Sequence, residues 1–256
     1  MKKFAFVLAL ASLFALSGCA KKEKITINGA EDLNGKTVGC QAGTTGELYL
    51  NETAENVKVK SFKTGIDAAL DLKNGGIDAV VLDEIPAKEI VKKFPQLEIV
   101  NASFASEEYA IAVRKGDSEL LASINKTIKD MKADGTYDRL LAAFIPADGS
   151  IVLPETILTA GSRTVKLGTN AAFPPFEYIE SSDPVGFDIT LGQMIARDYG
   201  AKLEVVNMEF DALIAALQSG AIDFIASGMT ATDERRKNVD FSDTYFSTNQ
   251  VIIVRK

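Results

Sequence analysis

Two hydrophobic periods alternate along this chain. Short runs rich in β-branched residues, at 37–41 and 77–82, are interleaved with stretches at 45–50, 66–72 and 85–93 whose apolar positions recur every three or four residues. Such alternation predicts an α/β class, with mainly parallel sheets flanked by helices on both faces. Residues 118–143 then place Leu120, Leu121, Ile124, Ile128, Met131, Tyr137, Leu140 and Leu141 at helical spacing, interrupted near Gly135. Between 145 and 163 the residues Pro146, Gly149, Pro154 and Gly161 punctuate a linker. A second series follows, with strands expected at 164–168, 203–206 and 222–226 and helices at 192–198 and 211–218.

The two series echo one another. Residues 67–81 and 211–225 each carry an amphipathic helix that ends at glycine and leads directly into an apolar strand. Asp83 follows the strand in one half, and Ser227 and Gly228 follow it in the other. Ligands of open α/β sheets bind beyond the carboxyl ends of strands, so two such edges face to face predict a cleft. The echo is weak evidence alone, because a helix, a glycine and a strand make a common turn.

The start of the chain has a different character. Lys2 and Lys3 precede a short apolar run, which ends at Leu16-Ser17-Gly18-Cys19. Basic flank, short apolar stretch and small residues together read as a secretory signal over 1–18, too short to remain as a spanning helix. The chain is thus expected outside the cytoplasm. The whole sequence of 256 residues carries a formal charge of −7, and loss of the two lysines would make it more acidic. An acidic chain without basic clusters argues against nucleic acid as a partner. Histidine is absent and Cys40 is the one cysteine beyond residue 19. These counts exclude a disulfide framework, nucleophilic triads that rely on histidine, and most zinc sites. No cofactor or metal is expected, and the glycines of Gly43-Thr44-Thr45-Gly46-Glu47 lack the lysine of a phosphate-binding loop.

Two motifs carry the chemistry. One is Leu167-Gly-Thr-Asn-Ala-Ala-Phe-Pro-Pro-Phe-Glu177 with Ser227-Gly-Met-Thr-Ala-Thr-Asp-Glu-Arg235, and the other is Lys36-Thr-Val-Gly-Cys-Gln-Ala-Gly-Thr-Thr-Gly-Glu47 with Val81-Leu-Asp-Glu84. Together they resemble the polar amino-acid-binding proteins of ABC importers, which have the two-lobed, hinge-closing type II periplasmic-binding-protein fold. In that family the first motif opens the chain and the second lies in the other lobe. Here the order is reversed, so the resemblance implies a circularly permuted chain. It divides as 19–107 plus 247–256 for the lobe on the α-ammonium side, and 108–246 for the lobe on the α-carboxylate side, with 145–163 joining the former termini. Both crossovers are expected, near 104–109 and 245–248, and 251–256 is expected to pair in the sheet of residues 24–113.

The resemblance also implies roles. Arg235 would clamp a ligand carboxylate, as a guanidinium fork matches that group bidentately, and Thr230 would add a hydroxyl and an amide. Ser227 and Gly228 would contact the α-amino end, and Asp83 would accept the ammonium. Thr45 would stand at a helix start facing the carboxylate. Phe173 and Phe210 would flank the ligand side chain, with Gln41 and Leu82 lining the pocket. Asn170 occupies a position that is often aspartate among binders of basic amino acids, and its neutrality removes a counter-charge. Stacking faces with an amide suit a flat cationic or amide side chain, ranking arginine or another basic amino acid first and glutamine second. Cys19 resembles a lipidation site, implying a monomeric receptor anchored to the membrane by lipid, with an ABC permease as partner. A secreted cyclohexadienyl dehydratase on the same scaffold is the alternative, with Glu47, Glu84 or Glu177 as the general acid.

Overall fold

The computed structural model describes residues 26–52, 55–100 and 105–256. The signal segment, Cys19 and Phe104 lie outside these residues. In chain order the elements are β1 (Thr37–Gln41), α1 (Thr45–Glu52), β2 (Lys58–Phe62), α2 (Gly65–Lys73), β3 (Ala79–Asp83), α3 (Glu84–Lys93), β4 (Leu97–Ile99) and β5 (Ala105–Tyr109). There follow β6 (Ala112–Arg114), α4 (Ser118–Ala133), α5 (Thr136–Phe144), β7 (Arg163–Thr169), β8 (Ala172–Phe173), β9 (Glu177–Glu180) and β10 (Asp183–Val185). The last are α6 (Phe187–Asp198), β11 (Ala201–Asn207), α7 (Leu213–Ser219), β12 (Phe224–Ile225), α8 (Asp233–Arg236), β13 (Val239–Phe241) and β14 (Phe246–Arg255).

Local chemistry sets these boundaries. Thr64 starts α2 by accepting the Asp67 amide, and Asp117 starts α4 by accepting that of Leu120, each satisfying a donor the helix cannot. Gly135, at φ 76°, separates α4 from α5, so the break in the helical period at this residue becomes two helices. No regular element occupies 146–162. Helix α6 begins five residues earlier than its apolar period suggested, because Phe187 and Asp188 are both buried there.

The strands form two larger sheets and a small antiparallel one. One sheet runs β2-β1-β3-β14-β4, with β5 also paired to β14, and the other runs β11-β7-β12-β6-β13. Pairing is parallel in β2-β1-β3 and in β11-β7-β12, as the strand–helix alternation predicts. It turns antiparallel where β14 and β6 enter, because these strands arrive by crossing between lobes and not through a helix on the same sheet. All five residues of β3 are buried, and Val251 to Val254 of β14 are buried beside it, the continuous apolar pattern of strands covered on both faces.

Residues 251–255 therefore lie in the sheet of the first series, with Val251 opposite Leu82 and Ile253 opposite Val80. The first half of β14 pairs with β5, setting Phe246 against Tyr109 and Gln250 against Ala105. These two neighbouring strands connect the lobes. Beneath them an aromatic cluster packs edge to face, with Tyr109 5.2 Å and Phe246 4.9 Å from Phe176, while Phe187 stacks on Tyr245 at 6.0 Å. Among the described residues no helix is long and apolar enough to cross a membrane.

Candidate functional site

Strand ends from both lobes meet at a small cleft. Gln41 closes β1, Thr45 opens α1 and Asp83 closes β3; Asn170 follows β7, and Ser227 and Gly228 follow β12. Phe173 of β8 and Phe210, in a short 3₁₀ turn, complete the set of expected residues that line it. Gly228 is at φ 52°, and a Cβ there would stand 2.8 Å from the Phe173 ring, so glycine is what lets that ring reach the cleft.

Asp83 occupies the N-cap position of α3, yet its side chain caps nothing. The carboxylate turns into the cleft and accepts from the hydroxyl of Tyr109 and the amide of Gln250. It is 6% exposed. Burial first, then the charge of Glu107, raises its pKa to about 7.

Thr230 and Arg235 lie just behind the lining. The Thr230 hydroxyl donates to Glu107, and Thr230 forms an isolated bridge with Tyr109. Helix α8 is capped by Thr232, which accepts the Arg235 amide at 3.2 Å and so fixes where the guanidinium starts. Arg235 is 7% exposed. Its guanidinium Nη1 donates to the Thr230 carbonyl at 2.7 Å, and its Nη2 donates across the cleft to the Gly43 carbonyl at 2.8 Å. Burial lowers its pKa to about 10, opposed by the charges of Glu107 and Asp83. The guanidinium carbon lies 5.5 Å from the centre of the Phe210 ring.

Asn170 bridges the lobes as well. Its Oδ1 accepts from Gln41 Nε2 at 3.0 Å, its Nδ2 donates to the Met208 carbonyl at 2.8 Å, and its backbone amide donates to Ser227 Oγ at 3.0 Å. Leu82 departs from expectation. Alternation along β3 turns it away from the cleft that Asp83 faces, and it packs against Gly65, where an added Cβ would lie 3.0 Å from its methyl.

Sequence reasoning missed Thr44 as a lining residue and considered Glu177 only as an acid for catalysis. Of the three acids weighed for that chemistry, Glu47 bonds the Gly43 amide and Glu84 pairs with Lys88, while Glu177 alone lines the cleft. Glu177 accepts from Ser227 Oγ at 2.8 Å. Its second oxygen and Asp188 Oδ1 are buried without a hydrogen-bond partner, and the two carboxyl groups perturb each other's ionisation. Burial raises the Glu177 pKa well above the carboxylate range, whereas Asp188, held by the Gly228 amide and the Tyr245 hydroxyl, rises to about 6. Glu107 and Gln250 were also missed. Both stand on the crossing strands: Gln250 reaches Asp83 through the pairing of β14 with β3, and Glu107 reaches Gln250 because β5 and β14 are neighbours.

The chain matches the profile of bacterial extracellular solute-binding proteins, family 3, over residues 19–147 and 165–256. It belongs to that family. Among curated relatives it is 44% identical over 97 residues to the arginine-binding extracellular protein ArtP of Bacillus subtilis, covering 38% of each chain. It is 36% identical over 124 residues to the L-cystine-binding protein TcyJ of Escherichia coli, covering 48% of this chain and 47% of that one. The matched stretches span less than half the length of these relatives. Among solved structures, the arginine-bound form of domain 1 from TmArgBP shares 44% identity with a TM-score of 0.33, covering 36% of this chain and 80% of that chain. The family membership and the two α/β lobes make this an extracellular solute-binding protein of the type II fold.

Proposed function

We propose that this protein is a lipid-anchored receptor that binds a free polar amino acid between two closing lobes and delivers it to an ABC permease. A basic amino acid of the arginine kind is favoured. The observation that carries the proposal is a pair of buried opposite charges on opposite lobes. Asp83 ends a strand of one sheet, Arg235 stands on the other lobe, and each is close enough to perturb the other's ionisation. A zwitterion satisfies both together, and an uncharged ligand leaves both desolvated.

In this reading Arg235 and Thr230 take the α-carboxylate, assisted by the start of α1 at Thr45. Asp83 takes the α-ammonium with Ser227 and Gly228, while Phe173, Phe210, Gln41 and Asn170 surround the side chain. Cationic preference finds support in the buried acids Glu177 and Asp188 beside the cleft, of which Asp188, held by the Gly228 amide and the Tyr245 hydroxyl, is the easier to ionise. Arginine and cystine in the relatives' names support a polar amino acid. Ligand contacts to both lobes would favour the closed form, which the permease would recognise.

The lobe order we read as circularly permuted, with 19–107 plus 247–256 as one lobe, 108–246 as the other, and the lipid on Cys19 tethering the former. Pairing of β14 with β3, β4 and β5 supports this division. The protein would act as a monomer.

A thermal-shift screen of the twenty amino acids tests the function. Arginine should give the largest shift, since a ligand at 100 times its Kd adds about 2.7 kcal/mol of stability. No shift with any amino acid would overturn the proposal. Assay of prephenate and arogenate in parallel should show no turnover.

A further inference from the structure

The geometry points to Glu47 as a positioning residue for lobe closure: its carboxylate fixes the Gly43 turn so that the Gly43 carbonyl receives Arg235 from the opposite lobe. The inference rests on reading the cleft as a closing amino-acid site and adds a residue that tunes it. Glu47 lies in the first turn of α1. Its Oε2 accepts the Gly43 amide at 2.7 Å, while its own amide donates to Thr44 Oγ1 at 3.4 Å, a reciprocal arrangement close to a capping box. A plain helix cap would involve nothing beyond its own turn.

This one continues in both directions. On one side, Ser61 of β2 donates its hydroxyl to the other oxygen of Glu47, so both carboxylate oxygens are held. On the other side, Gly43 at φ 75° turns its carbonyl outward to Arg235 Nη2 at 2.8 Å. The peptide that follows is secured in turn, because Thr44 Oγ1 donates to the Gln41 carbonyl at 2.7 Å. The turn is pressed against the opposite lobe, where an added Cβ on Gly43 would lie 2.9 Å from the Asp211 Cβ. A continuous chain of hydrogen bonds, from Ser61 through Glu47 and Gly43, therefore links the body of one lobe to the guanidinium of the other.

Three proteins test this: wild type, Glu47→Ala and Glu47→Gln. Stopped-flow kinetics with L-arginine would be measured alongside small-angle scattering with and without ligand. Glu47→Ala should raise the dissociation rate about tenfold and leave association within about twofold, because closure contacts govern release. Its radius of gyration should exceed that of wild type. Glu47→Gln, whose amide oxygen still accepts the Gly43 N–H, should recover most of both effects. A lowered melting temperature with unchanged dissociation rate and radius would make Glu47 a helix cap only and overturn the proposal. Should wild type bind no amino acid, the receptor reading fails by itself, and scattering of the ligand-free proteins still decides the role of Glu47: equal radii overturn it.

Discussion

Arg235 and Gly43 are joined by a 2.8 Å hydrogen bond although 192 residues separate them in the chain. The other half of the same guanidinium holds the Thr230 carbonyl in its own lobe. One side chain therefore both organises the proposed carboxylate site and fastens it to the facing lobe. Removing it affects two things. Arg235→Ala should retain the fold, since α8 is a short surface turn, and should lose about 2–5 kcal/mol of ligand binding, the range for truncating one partner of a buried charged pair. Calorimetry with arginine measures it, and near-native affinity would rule out the assigned clamp.

Asp83 sets two opposing pH dependences. Its pKa rises from 3.8 to about 7 on folding, so over that interval the folded chain keeps a proton the unfolded chain has released. Stability of the ligand-free protein should consequently fall as pH rises from roughly 4 to 7. Asp188 and Glu177, raised by burial as well, push the same way. Ligand affinity should move oppositely, weakening below about pH 7, because an ammonium needs the ionised carboxylate. Asp83→Asn should flatten part of the stability profile and abolish binding. Thermal melts and calorimetry across this range check both; affinity independent of pH would remove Asp83 as the ammonium acceptor.

Asn170→Asp should favour cationic ligands over glutamine by adding a charge to a low-dielectric site. The change has a structural cost. An aspartate still accepts from Gln41 but gives up the donor that holds the Met208 carbonyl, leaving two oxygens in contact. A loss of about 1–3 kcal/mol in stability is expected from this unsatisfied pair. Competition among arginine, lysine and glutamine, together with denaturant melts, tests both; an unchanged ligand ranking would place Asn170 away from the ligand side chain.

Truncation after Gln250 should unfold the protein. Val251, Ile252, Ile253 and Val254 are all buried between β3 and β4, and at about 1.5–3 kcal/mol each their loss is comparable to the whole stability of a domain. The exposed β3 edge would also promote aggregation. A soluble, cooperatively melting truncated chain would contradict the assignment of β14 as a structural strand.

Much of this architecture is legible in the sequence because helices and strands here follow their periods closely. The break at Gly135 and the strand at 37–41 follow from local pattern, while the docking of 251–255 follows from the resemblance and its reversed lobe order. Long-range partnership is less visible. Leu82 sits one residue before Asp83 in the same motif, yet strand alternation sends the two to opposite faces. Glu107 lies in a run of polar residues with nothing to distinguish it from Glu108, and only the pairing of β5 with β14 brings it to Gln250. Glu177 was visible only as a candidate general acid, and its neighbourhood with Asp188 depends on α6 beginning at Phe187.

The place of β14 has a consequence for synthesis. Strand β3 leaves the ribosome long before the strand that covers its edge, with the whole second lobe translated in between. At about 5–20 residues per second the wait is on the order of ten seconds. During it, five apolar or buried positions of β3 have one neighbour instead of two. Loop closure across that interval makes the first lobe the slow one to complete, since non-local pairs form late. The second lobe, contiguous apart from its crossing strands, is free to collapse first and hold β5 in readiness for the last strand to arrive.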